Sequence, residues 1–237
     1  MLVVLAMLAV SSVGRADDAK PDKGWDRSVA LGVTVTSGNT DSTMFNGGVQ
    51  AQRAWEKDEW RLGAEGAYGK VEGDLSVAKA RGYEQYKRVF KERWYGTVVG
   101  EVLHDALADL AYRISIGPGL GYYFIKSDLT KLSAEVGPSL VAEKYEGEGM
   151  ETYCALRLGE RFERKLSDSA KVWQSLEVLP QVNDWQNFTA LAEIGAEAAL
   201  NKTLSIRLVA QDRYNNQPAA GKKSNDFALI GSLVYKF

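Results

Sequence analysis

Apolar residues recur at every second position along most of this chain. In the last segment Phe227, Leu229, Leu233, Tyr235 and Phe237 hold odd positions with Gly231, while Asp226, Ser232 and Lys236 fall between them. A period of two describes a β-strand with one apolar face. The same alternation sets Val29, Leu31, Val33 and Val35 against Ser28, Ala30, Gly32, Thr34 and Thr36. It sets Leu110, Tyr112, Ile114, Ile116, Leu120, Tyr122 and Phe124 against Arg113, Ser115, Gly117, Gly119 and Gly121. Further series lie around residues 45–51, 60–68, 94–102, 132–142, 156–162, 176–178, 192–200 and 204–210. Residues 80–91 carry charge on both faces, so the pattern leaves their facing open. With that segment included, the pattern predicts about twelve strands.

A one-faced strand can turn its apolar side inward, as in a soluble sandwich or lipocalin-like barrel, or outward to lipid. Two features favour lipid. The polar faces mix Gly, Ser, Arg and Glu, which suits a narrow hydrogen-bonded lumen, and the chain ends on an aromatic inside an uncapped strand. Such an edge is sticky in water, whereas a barrel pairs it with the first strand. It also resembles the C-terminal signal by which outer-membrane proteins are recognised for insertion. The predicted fold class is therefore all-β, an antiparallel transmembrane β-barrel of the bacterial outer membrane, spanning 24–237.

Connections support this. Tight turns at 56–58, 91–93, 126–128, 165–169 and 201–203 alternate with longer polar stretches at 70–79, 104–109, 145–151, 183–187 and 215–224, the pattern of periplasmic turns and outer loops. Trp25, Trp55, Trp60, Trp94, Phe124, Phe162, Tyr235 and Phe237 sit near strand ends, where an interfacial girdle is expected. Pro118, Pro138 and Pro180 lie inside strands and predict bulges or local breaks, because proline cannot donate to the ladder.

Composition changes the picture in a few places. The 237 residues carry a formal net charge of −2 and are 45% apolar, with 23 Gly, 5 Pro, one Cys and one His. Near-neutral charge gives no nucleic-acid footprint. One Cys excludes an internal disulfide, and one His with one Cys leaves little for a zinc or haem site. The apolar run before Ser11 and the small residues to Ala16 read as a signal peptide, 1–16, with 17–23 as a periplasmic lead-in. No later segment is long and apolar enough for a membrane-spanning helix, a test to which barrels are blind.

The run Leu31-Gly32-Val33-Thr34-Val35-Thr36-Ser37-Gly38-Asn39-Thr40-Asp41, with Trp25 ahead of it, resembles the hallmark of the salt-induced outer-membrane protein family (domain of unknown function 481). The stretches Ile116-Gly117-Pro118-Gly119-Leu120-Gly121-Tyr122 and Glu135-Val136-Gly137 are similar to that family too, and the likeness runs from Trp25 to Phe237. It implies an outer-membrane location and a role linked to salt or osmotic stress. It implies no catalytic residues.

The inward faces supply the candidate site. Arg61, Glu65, Arg113, Glu135, Arg157, Arg161, Glu193, Glu197, Arg207 and Arg213 are the expected lumen lining, with Glu143 and Glu177 beside them. They read either as a charged pore that selects solutes or as a salt-bridged plug; the evenly mixed signs favour a largely filled lumen. Phe227, Leu229, Leu233, Tyr235 and Phe237 form the terminal insertion signal. His104-Asp105 opens an expected loop with no nucleophile motif near it, so no catalytic residue is assigned. Glu146, Glu148 and Glu151 form an acidic loop without EF-hand spacing. No cofactor and no metal site are expected. The expected partners are outer-membrane lipids, lipopolysaccharide and the barrel-assembly machinery, with no nucleic acid; the sequence leaves the oligomeric state open. The leading function is a non-enzymatic barrel that supports the envelope or passes small solutes. The rivals are an interaction protein using loops 70–79 and 215–224 and, more remotely, a lipid-modifying enzyme.

Overall fold

Two-residue periodicity becomes a sheet closed on itself. The computed structural model describes residues 24–37, 42–71 and 74–237. In chain order the strands are β1 (Asp26–Ser37), β2 (Ser42–Trp55), β3 (Asp58–Val71), β4 (Asp74–Lys91), β5 (Trp94–Asp105) and β6 (Leu110–Lys126). They continue as β7 (Thr130–Tyr145), β8 (Met150–Lys165), β9 (Ala170–Gln181), β10 (Asp184–Ala199), β11 (Leu204–Asn215) and β12 (Asn225–Lys236). Each pairs antiparallel with its sequence neighbours, and β12 pairs with β1 to close a twelve-stranded barrel. Closure sets Leu31 opposite Leu233 and Val35 opposite Leu229, and the Phe237 N–H donates to the Arg27 carbonyl at 3.1 Å. Among the described residues no strand edge remains open, so the ladders close on one another around the barrel. Residues 1–16 and 17–23, the expected signal peptide and lead-in, lie outside the described residues.

The large apolar side chains face outward. Phe45 is 80% exposed and Ile194 64%, and Leu31, Ile114, Ile116, Leu140, Ile206 and Leu208 are exposed with them. All five residues of the terminal series, Phe227, Leu229, Leu233, Tyr235 and Phe237, point outward and are exposed. This inside-out arrangement is costly in water and favourable in hydrocarbon. Aromatic rings cluster at the end that carries the chain termini: Trp25 against Trp60, Trp60 against Tyr86, Trp94 against Tyr122, Tyr122 against Phe124, and Tyr235 against Phe237, at centroid distances of 4.9 to 6.3 Å. That ring is a girdle at one membrane interface.

Several expectations are corrected. Leu110 belongs to the inner face and is only 4% exposed. The register shifts between Leu110 and Tyr112, and a one-residue slip moves a side chain to the other face. The expected loop 70–79 is mostly strand, since β3 runs to Val71 and β4 starts at Asp74. Likewise His104 and Asp105 close β5, and the connections 106–109, 146–149 and 182–183 are tight; 216–224 is the long one among the described residues. Residues 80–91 do alternate: Arg81, Tyr83, Gln85 and Lys87 face in, while Glu84 and Arg88 face out. Pro118 and Pro138 break the β6–β7 ladder locally, yet the register is the same on both sides, Ile116 with Leu140 and Leu120 with Val136. The strands approach so closely there that a Cβ on Gly117 would strike the Pro138 carbonyl, and one on Gly137 the Pro118 carbonyl. Near Pro180 the β9–β10 register does shift, between Asp184 and Phe188.

Candidate functional site

Inward positions hold the chain's polar chemistry, and burial forces it to pair. Glu135 on β7 is the hub. Its carboxylate accepts from Arg157 Nη2 at 2.7 Å, Lys87 Nζ at 2.9 Å, Tyr95 OH at 2.9 Å and Gln85 Nε2 at 3.1 and 3.2 Å. These partners come from β8, β4 and β5, so one carboxylate ties separate arcs of the wall together. Arg157 also reaches Glu177 on β9 at 3.3 Å. Nearby, inward glycines lie opposite aromatic rings: Gly63 with Tyr83, Gly121 with Tyr95, and Gly195 with Trp173. A Cβ at any of these glycines would run into the facing ring. Glycine thus lets each ring lie flat across the neighbouring strand and occupy lumen space.

Toward the far end, away from the termini, a second set narrows the lumen. Arg81 pairs with Glu101 at 2.6 Å, Arg113 with Glu143 at 2.6 Å, and Lys79 with Asp105 at 2.9 Å. Contacts also cross between walls: Arg213 on β11 lies 4.0 Å from Glu101 on β5, and Asn215 Nδ2 donates to Tyr145 OH on β7 at 3.0 Å. At the rim Lys222 in the long connection meets Asp109 at 3.1 Å. Nearer the termini, Glu197 accepts from Arg207 at 2.8 Å and from Lys236 at 2.5 Å.

The charge is confined to part of the wall. Between the rims, the inner face of β12, β1 and β2 presents Ser232, Ser28, Thr34, Asn46, Gln50 and Gln52 with small or apolar neighbours and no charged residue. A cavity of about 550 Å³ runs along this neutral strip, from Thr36 and Lys79 toward the far end to Glu59 and Glu163 toward the other. Of the expected lumen residues, Arg61, Glu65, Glu135, Arg157, Arg161, Glu193, Glu197 and Arg207 border this cavity; Arg113 and Arg213 stand outside its lining, engaged with Glu143 and Glu101. In the half nearer the termini two pairs are loose, Arg61 to Glu59 at 3.3 Å and Arg161 to Glu163 at 3.6 Å, beside the close contacts of Glu197. Glu193 accepts from the Trp173 indole at 2.6 Å.

Sequence reasoning missed Arg81, Gln85 and Lys87, because the facing of residues 80–91 was ambiguous, and Lys79, because it fell in the expected loop 70–79. Glu101 was legible by parity, since it alternates with the outward Val98 and Val102. His104 has its Nδ1 2.9 Å from the Ala111 carbonyl, a backbone contact rather than a catalytic one. Cys154 is free and exposed. Among the described residues no group of three or more His, Cys, Asp or Glu is arranged to hold a metal ion, so the acidic turn forms no such cluster.

A closed antiparallel barrel with an apolar belt and a polar, ion-paired lumen has the architecture of outer-membrane porins, and solved structures bear out that likeness in fold. The NanC porin superposes with a TM-score of 0.61 at 6% identity, covering 88% of this chain and 100% of the porin. The KdgM porin, solved in complex with disordered oligogalacturonate, gives 0.52 at 8% identity, covering 89% and 99%. The chain belongs to the family described as protein of unknown function, DUF481, whose model matches residues 29–237. No curated protein matches it in sequence.

Proposed function

We propose that this chain is a non-enzymatic protein of the bacterial outer membrane that passes small hydrophilic solutes along the neutral side of its lumen. The observation that carries this reading is the off-centre cavity of about 550 Å³, bordered on one side by hydroxyl and amide groups and on the other by paired charges. In this orientation the end with the termini and the aromatic girdle faces the periplasm. The belt meets lipid and lipopolysaccharide, and the terminal strand is the segment that assembly machinery would engage. The likeness in fold to two porins supports solute passage. A role under salt or osmotic stress rests on the family resemblance alone.

Liposome swelling tests the proposal. Proteoliposomes should swell in isotonic glycerol or arabinose and resist swelling in a trisaccharide. Swelling rates equal to those of empty liposomes for every solute would refute it. A second reading, a plug-like barrel that only supports the envelope, is favoured by the contacts that cross the lumen at Glu135 and at Arg213. The partner-binding reading loses one of its two loops, since most of 70–79 is strand.

A further inference from the structure

Charge around the cavity is unevenly paired. In the middle and far levels, carboxylates hold their cations at 2.6 to 2.9 Å: Glu101 with Arg81, Glu143 with Arg113, Glu135 with Arg157 and Lys87. In the half nearer the termini, Arg61, Arg161, Lys131 and Lys171 all border the cavity. Arg61 and Arg161 reach only Glu59 and Glu163, two residues away on their own strands, at 3.3 and 3.6 Å. Lys131 and Lys171 make no ion pair among the described residues; Lys171 lies over the Trp173 ring, 5.8 Å from its centroid. All four cations share one cavity with the carboxylate of Glu163. Arg61 on β3 and Arg161 on β8 border the cavity from strands on opposite sides of the barrel. Arg61 Nε is buried and has no hydrogen-bond acceptor. The other carboxylates of this level offset this charge only in part: Glu193, which accepts from the Trp173 indole, also acts on Arg161, and Glu197 is shared by Arg207 and Lys236.

Two guanidiniums facing each other across a cavity, with surplus ammonium groups beside them, repel unless an anion sits between them. Guanidinium forks match planar oxyanions best. We propose that the chamber between Arg61 and Arg161 is a binding site for a small oxyanion, the carboxylate or phosphate group of a solute. Lys131 and Lys171 supply additional positive field, and the Gln50 amide on the neutral strip is placed to hydrogen-bond the solute's hydroxyl groups, while the Gln52 Nε2 donates to Glu59 at 3.2 Å. This deepens the solute-passage reading and rests on it for how the ligand arrives, but binding is measured without transport.

The test is calorimetry on folded, detergent-solubilised protein at low ionic strength, titrated separately with sodium gluconate, sodium phosphate and sodium chloride. Folding is checked by heat-modifiable gel mobility. The expected result is saturable binding of gluconate or phosphate, weakened roughly tenfold in R161Q and lost in the R61Q/R161Q double variant. Lipid-facing E84L should bind as the parent does. Gluconate alone would assign a carboxylate site and phosphate alone a phosphate site, and both support the oxyanion chamber. Should the double variant fail to fold, R161K keeps the charge, loses the fork, and should still bind more weakly. No saturable binding to the folded parent, equal affinity in folded R161Q or R161K, or chloride binding as tightly as either oxyanion would overturn the proposal. Saturable binding in a protein that swells no liposomes would leave the site standing and remove the passage.

Discussion

Glu135 gathers donors from three strands, and its replacement should be felt throughout the barrel. Glu135→Ala leaves Lys87 and Arg157 buried without their principal acceptor. Breaking a buried pair from one side costs about 3–5 kcal/mol, so this variant should lose its heat-resistant folded band at markedly lower temperature. An unchanged transition would mean that the hub is not structural. Glu84 makes the opposite case. It faces outward, opposite Gly100 and in one row with exposed Ile116, and makes no ion pair among the described residues. Glu84→Leu should stabilise the folded barrel in lipid by about 1 kcal/mol, because a lipid-facing carboxylate costs less than the ~2–4 kcal/mol of an arginine at the same depth. A loss of stability in denaturant titration would show that Glu84 has a partner in the membrane.

Single strands show what the alternation could and could not reveal. Outward faces were readable wherever apolar and polar residues strictly alternate. Ile114 and Ile116 on β6, Ile206 and Leu208 on β11, and the terminal series on β12 all point outward as their parity requires. Ile114→Arg or Leu208→Arg should therefore cost about 2–4 kcal/mol near the midplane, while Ser115→Arg, which points into the cavity, should cost less. Equal costs in parallel unfolding titrations would contradict the assigned faces. The pattern failed where charge sits on both faces, as in β4, and where one extra residue shifts the register, as at Leu110. It also could not foresee that polar stretches such as 74–79 are strand rather than loop, because polarity alone does not separate a strand extending past the membrane from a loop. The inward charges were legible as a set. Their partners were not, since pairs such as Glu135 with Lys87 join residues far apart in sequence. Gly117 and Gly137 were readable as glycine-rich strand, but their purpose lies in the close approach beside Pro118 and Pro138. Gly117→Ala should destabilise by more than about 1 kcal/mol, whereas Gly96→Ala, where a Cβ meets nothing within 4 Å, should be nearly neutral.

For the molecule as a whole, the closed sheet, the outward belt and the ion-paired lumen form one argument: lipid is the solvent outside, and paired charges with a neutral strip fill the inside. Closure depends on β12, so removing Phe237 should impair assembly, since it takes away a backbone bond to Arg27 and an exposed aromatic at the girdle. The pulse-labelled variant should accumulate as protease-sensitive, unassembled protein. The most direct test of the account is ion flux across a planar bilayer containing the purified, heat-modifiable protein. The account predicts small, steady conductance steps, as befits a narrow cavity beside an ion-paired wall, and their size should change when the cavity-lining Arg61 is replaced by Gln. Well-folded, membrane-inserted protein that gives no conductance at all would contradict solute passage and leave a barrel that serves the envelope by its structure alone.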